Sequence, residues 1–448
     1  MHRNSSNRKI AAAAMAAALA LLVSSCSSSS SGGSGSSTNS ASISGQTITY
    51  WASDQGSSVA DDVKVLTPEL NAFTKQTGVK VNLEVIGWND LLNRILAATT
   101  SGQGPDVVNI GNTWSASLQA TGAFLPITPA VMTQLGDTGR FLPGALNATG
   151  ASGKPPVGVP IYSTAYALYY NKAEFAAAGI TSPPTTWTEL VADGQKLTHG
   201  SQYGLTLEAG QTPENAHLAF ELSEQQGGSW FDSSGNPTFT TPQNVAAIAQ
   251  QVGLMSSDKI VNTSDAENTN GTEALQEFAS GKAAMLMWQP AGSNLASYGM
   301  AASQYGVAPL PFPADPPAGS KHVDSMVGGI NISVFANSKH QAAALAFVKF
   351  MTSQPTQISL NSTYGSLPSV TDAYSAPAFQ TANDKVFQNI LASSATSMPE
   401  IAAESQFETE IGTALKDLYD DAATGQQITT ALITSELNKA QQSMQAGG

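Results

Sequence analysis

Between residues 46 and 110 the apolar positions change period four times, and each change predicts a new element. Gln46 to Trp51 (QTITYW) is β-branched and aromatic, which predicts a strand. From Asp61 to Thr77, the residues Val63, Leu66, Leu70 and Phe73 recur at helical spacing until Gly78 stops the helix. Val79, Val81, Leu83 and Val85 then alternate strictly, as a half-buried strand does. Leu91, Leu92, Ile95 and Leu96 mark a second helix with Asn89 as its expected cap, and Asp106 to Ile110 is a short buried strand. Strand, helix, strand, helix, strand predicts a parallel, doubly wound sheet, whose ligand loops lie beyond the carboxyl ends of the strands. Those loops hold Asp54, Trp88-Asn89 and Asn112-Thr113-Trp114.

The middle of the chain predicts a second sheet. Residues 165–170, 203–207, 282–288 and 329–335 read as strands; 187–197, 212–225, 241–255, 272–280 and 339–351 read as helices. Helical patterns dominate from there to the end, and no internal repeat is present.

The amino-terminal region follows different rules. Arg3, Arg8 and Lys9 precede an apolar run from Ile10 to Val23, too short to span a bilayer as a helix and right for the middle of a secretory signal. Cys26, the only cysteine, comes next, and 27–44 is almost all Ser, Gly and Thr. Such a segment has little to bury and reads as a tether with a mean reach of roughly 20–25 Å. Val23-Ser24-Ser25-Cys26 resembles the lipobox of bacterial lipoproteins, which implies cleavage before Cys26 and lipid on its sulfur and amine.

Composition narrows the function. The hydrophobic share of 41% over 448 residues suffices for two domains with separate cores. Loss of the signal takes three of 19 basic residues, leaving 16 against 33 acidic ones and a formal charge of −17. That excess argues against nucleic acid and against a basic membrane-binding surface.

The order of motifs resembles the extracellular solute-binding proteins of sugar-type ABC importers (bacterial solute-binding protein family 1, maltose-binding-protein-like). The segments that carry the resemblance are FTKQTGVKVNLEVIGWNDLLNRILAATTSGQGPDVVNIGNTW, GVPIYSTAYALYYNKAEFAAAGITSPPTTWTEL, FASGKAAMLMW, GVAPLPFP, VGGINISVFANSKHQAAALAFVKFMTS and YGSLP. The resemblance covers about residues 47–440. It implies an α/β fold of two lobes, each a mostly parallel sheet flanked by helices, with a solute in the cleft between them. Crossings are expected near Gly158-Val159-Pro160, Val327-Gly328-Gly329 and Met351 to Pro355. Residues 1–25 are then the signal and 26–45 the lipidated cysteine and tether. Residues 46–160 with 329–350 form lobe one, and 161–328 with 351–448 form lobe two. The implied partners are a carbohydrate, the permease subunits and, through lipid alone, the membrane. The expected state is a monomer outside the cytoplasm that needs no cofactor, metal or catalytic residue.

A sugar presents apolar C–H faces and a rim of hydroxyls, so its pocket needs flat aromatics and groups that donate and accept hydrogen bonds. The resemblance places Trp288, just after the GKAAMLM strand, as the main stacking residue, with Gln289 beside it. It places Asp54 and Asn112 after the first and third strands; many relatives carry an acid where Asn112 stands. Trp88 and Asn89 fall after the second strand. Trp230 and Trp114 face either the cleft or a core, and Phe407 a core. Tyr162, Glu208 and Tyr364 complete the candidate site. Asp106, after a proline and before a buried strand, is expected to bond backbone amides instead.

Four other readings compete, one of them a lipoprotein that merely coats or scaffolds and needs neither mobile lobes nor tryptophans facing a cleft. A metal receptor would use Glu214, His217 and Glu221, which share a helix face. A polyol-phosphate receptor would need converging Lys or Arg, and Arg140, Lys154, Lys172 and Lys321 show no convergence. A glycoside hydrolase would need two carboxyl groups roughly 5–10 Å apart; no local pair stands out, and G-x-S-x-G, H-E-x-x-H and P-loop motifs are missing.

Overall fold

A computed structural model of the chain describes residues 42–447. The expected signal segment, Cys26 and nearly all of the tether lie outside the described residues. From Ile43 onward the chain forms one unit with two main sheets. In chain order the strands are β1 (Thr47–Ser53), β2 (Lys80–Ile86), β3 (Val107–Gly111), β4 (Gly158–Thr164), β5 (Ala167–Asn171) and β6 (Tyr203–Thr206). They continue as β7 (Ala283–Trp288), β8 (Tyr305–Ala308), β9 (Ser325–Met326), β10 (Gly328–Val334), β11 (Leu367–Pro368) and β12 (Ala395–Thr396).

The first sheet runs β11-β4-β10-β3-β1-β2, and β10 and β11 run against the other four strands. Its first two helices, Val59–Thr77 and Trp88–Ser101, stand where the helical spacing predicts them. The former ends at Gly78, whose φ of 75° puts it in the left-handed region that closes helices. Ile48, Tyr50, Phe73, Val107, Ile332 and Phe347 pack into one core against this sheet. Tyr50 and Phe347 meet edge to face with ring centroids 5.0 Å apart. Asp106 holds backbone, accepting from the Thr49 N–H at 2.8 Å.

The second sheet runs β6-β7-β5-β8, and only β5 opposes the rest. Its core is separate and joins Leu205, Met285 and Leu222 to Phe407, Leu415 and Tyr419 of the long helix Glu404–Ala423. That helix lies so close to the helix Thr212–Gln225 that a Cβ on Gly412 would sit 2.1 Å from the Thr212 carbonyl oxygen.

Two of the expected crossings shift. All of β4 pairs with β10, from Gly158 opposite Ser333 to Thr164 opposite Gly328, so the chain leaves the first sheet at residues 165–166 rather than near Gly158. The crossing expected at 351–355 also comes later. The helix Gln354–Tyr364 buries Leu360 and Tyr364 in the first core, β11 pairs with β4, Val370 and Ala373 also lie in the first core, and Phe379, Phe387 and Ile390 join a cluster with Tyr169 of β5 and Leu286 of β7. The first lobe therefore also holds 161–164 and 351–373. The chain returns between β9, paired with β12, and β10. At Gly329 φ is 152° and a Cβ would lie 2.5 Å from the Tyr162 carbonyl oxygen, so only glycine fits this junction.

Candidate functional site

The loops beyond β1, β2 and β3 meet on the first lobe. Trp88 opens its helix directly after the cap Gly87, and its indole N–H donates to the Asp54 carbonyl at 2.6 Å. Its ring meets Trp114 edge to face at 5.6 Å. Asn89 is not the cap: it lies inside the first turn and is exposed. Burial pushes the Asp54 carboxyl up to about 8, and the neighbouring Asp62 adds to the rise. The buried Oδ1 of Asp54 has no partner. Asp62 is itself held by the N–H groups of Gln55 and Gly56.

Asn112, buried, spends its amide N–H on the Val327 carbonyl at 2.6 Å and so fixes the return crossing to the loop after β3. Tyr162 and Tyr364 pack edge to face at 5.8 Å inside the first core, and burial raises both phenols above their usual range. These two are core residues because the helix Gln354–Tyr364 belongs to that lobe.

On the second lobe, the carboxyl ends of β6 and β7 and one face of the helix Thr212–Gln225 enclose a recess of about 30 Å³. Tyr166, Glu208, Glu214, Glu221, Gln251 and Trp288 are among its walls. Trp288, half-buried, ends β7. Glu208 Oε1 accepts from the Ala274 N–H at 2.9 Å, while its Oε2 has no partner. Burial pushes this carboxyl up to about 8, partly offset by the Ala274 and Gly271 amides and reinforced by the charges of Glu273 and Glu214.

A hydrogen-bonded chain joins the two halves. Thr164 donates to Gln289 Oε1 at 2.7 Å, and Gln289 Nε2 donates to the Tyr166 hydroxyl at 2.9 Å. The Tyr166 proton goes to Glu214 at 2.5 Å, so the His217 Nδ1 at 2.8 Å from the same oxygen must donate. His217 Nε2 lies 3.0 Å from Glu408 Oε1, and Glu408 Oε2 accepts from the Trp114 indole at 2.9 Å. Burial works against charge on His217, but Glu408, with the charges of Glu214 and Glu221, outweighs it and the imidazole is raised above its ordinary value. Both ring nitrogens are engaged, which leaves none for a metal. Among the described residues no group of three or more His, Cys, Asp and Glu is arranged to hold one.

Asp54, Trp88 and Trp114 thus share one side, and Glu208, Trp288 and Gln289 the other. Trp230 belongs to neither. It is 2% exposed and packs between Phe239 and Phe407 in the second core, because its loop folds back over the long helix rather than toward the recess. Sequence reasoning missed Tyr166, Gln251 and Glu408. Tyr166 stood inside a predicted strand, and the other two sit in helices where no local spacing distinguishes them.

Residues 56–358 match the family model described as bacterial extracellular solute-binding protein. The chain is 27% identical over 294 residues to a binding protein of Brucella abortus, covering 65% of this chain and 69% of that one. It is 25% identical over 329 residues to the diacetylchitobiose binding protein DasA of Streptomyces coelicolor, covering 72% and 73%. A solute-binding protein of Thermotoga lettingae, solved with α-D-tagatose, superposes with a TM-score of 0.77 at 19% identity over 89% of this chain and all of the other.

Proposed function

Since the chain belongs to the bacterial extracellular solute-binding protein family, we propose that it is the receptor of an ABC importer for a carbohydrate. The solute lies between the lobes, against Trp288 and Gln289 on one side and Asp54, Trp88 and Trp114 on the other. The loaded protein then delivers it to the permease. The observation that carries this reading is the meeting of indoles and unpartnered acceptors where the two sheets' carboxyl ends face the crossings. Relatives that bind diacetylchitobiose and tagatose support the sugar class. Lipid on Cys26 holds the protein at the outer face of the membrane, and it works as a monomer that binds without turnover.

A thermal-shift screen against mono- and oligosaccharides, polyols, amino acids, sugar phosphates and divalent metals tests the proposal. Stabilisation by sugars is expected; stabilisation by amino acids or metals with no response to sugars overturns it. Trp288→Ala should then weaken the best sugar about 30-fold, the 2 kcal/mol typical of a buried anchor. The apo melting temperature should change little. Loss of apo stability with unchanged affinity would place Trp288 in the core.

A further inference from the structure

The recess beside Trp288 has Leu207, Leu218, Met287 and Leu310 among its walls, and two of its buried polar atoms are oxygens without partners. Glu208 is 4% exposed and Gln251 1% exposed, yet Glu208 Oε2 and Gln251 Oε1 have no hydrogen-bond partner. The orientation of Gln251 is set on its other side, where Nε2 donates to the Asn215 carbonyl at 3.1 Å; reversing the amide would bring two oxygens together. Glu214 and Glu221 stand on the same helix face one above the other. No lysine or arginine lines the recess, while three carboxyl groups and the rings of Tyr166 and Trp288 do. Unpartnered buried acceptors are expensive, so these two oxygens are complementary to a small group with several donors. A volume of about 30 Å³ admits one or two water-sized groups and excludes a sugar ring. An ammonium meets every condition: it is small, cationic, carries only donors, and is attracted to carboxylates and ring faces alike.

We propose that this recess takes the protonated amine of an amine-bearing carbohydrate, with Glu208 as its counter-ion and Gln251 as second acceptor. This assignment rests on the carbohydrate reading above and narrows it to amino sugars. The sugar ring stays outside, beside Trp288, and only the ammonium enters. A neutral hydroxyl in the same place donates one proton and leaves the second acceptor unsatisfied. In the empty protein burial and the neighbouring Glu273 and Glu214 hold a proton on Glu208. Around Glu214 stand the Tyr166 hydroxyl, His217 and Glu408; around Glu221 stand the Met326 N–H, His217 and Asp324. An arriving ammonium favours the ionised form of Glu208 and displaces its proton to solvent.

The test uses isothermal titration calorimetry with matched pairs: glucosamine, galactosamine and chitosan dimers and trimers against glucose, galactose, their N-acetyl forms and cello-oligosaccharides. An amine member should bind at least tenfold more tightly than its neutral partners. At pH 7, titrations in buffers of different ionisation enthalpy should show release of up to one proton per amine bound. In Glu208→Gln the amine-to-neutral affinity ratio should fall toward one and the proton release should vanish. The wild-type ratio and proton count decide the matter by themselves if that variant does not fold. Tight binding of a neutral sugar without amine preference overturns this inference and leaves the carbohydrate reading intact. Failure of every sugar, neutral and amine, removes both.

Discussion

Glu221→Gln asks whether the acids beside the crossing are held against their ordinary tendency to ionise. Glu221 is 1% exposed on the helix Thr212–Gln225, and its Oε1 accepts from the Met326 N–H at 2.8 Å, beside the return crossing. Burial pushes the carboxyl from 4.5 up to about 8; Met326 and His217 oppose the rise, and the charges of Glu214 and Asp324 add to it. The folded protein therefore keeps this proton to higher pH than the unfolded chain does. The resulting stability is complete below about pH 4.5 and is lost as pH climbs to about 8. The shift corresponds to roughly 5 kcal/mol at about 1.4 kcal/mol per unit. Glutamine keeps the acceptor for Met326 and cannot ionise. Urea unfolding of the ligand-free proteins should find wild type and variant within about 1 kcal/mol at pH 5. At pH 9 the variant should be the more stable by several kcal/mol. Other buried acids titrate in both proteins, and their contributions largely cancel in the difference. Parallel stability curves from pH 5 to 9 would refute the assignment of a proton to Glu221.

Trp230→Ala should lower the unfolding free energy by about 3–5 kcal/mol through the cavity it opens between Phe239 and Phe407, while affinity for the best sugar stays unchanged. A loss of affinity without loss of stability would return Trp230 to the site. Gly412→Ala should destabilise by about 1–3 kcal/mol in the same assay, although alanine favours helix by about 1 kcal/mol, because the added Cβ meets the Thr212 backbone; a stabilised variant would mean that the two helices separate freely. Trp114→Phe keeps the ring contact with Trp88 and removes the bond to Glu408. A hydrogen bond to a charged partner contributes about 1.5–3 kcal/mol, so the apo protein should show a larger radius of gyration by small-angle scattering. An unchanged radius would show that this bond does not hold the lobes together.

What could be read in the sequence follows from how local each signal is. The periods at Leu66–Phe73 and Val79–Val85 reflect one face of one element against one core, and the helix and strand stand there, although Val63, read on the same face, is exposed. Asp106 was legible from its immediate neighbours, a proline before it and a buried strand after it, and it does hold the Thr49 amide. The cap before Trp88 was not, because a glycine without a side-chain bond precedes the helix and Asn89 only resembles a cap. Strand β4 was read as a crossing from the family resemblance, and its pairing depends on β10, some 170 residues away. The same distance hid the useful part of the site. Trp114 meets Glu408 across 294 positions, and Tyr166 meets His217 across 51. No spacing rule connects such pairs: Tyr166 and His217 meet only once the second core has formed, and Trp114 and Glu408 only once the crossings have set the two lobes face to face. Glu214, His217 and Glu221 were visible as a helix face, but the ligand they suit depends on their neighbours. With Tyr166 and Glu408 on the imidazole, His217 has no lone pair left for a metal, and the acids beside it become a wall of acceptors. The pattern thus revealed where charge would gather, and only the fold decides which kind of partner that charge can satisfy.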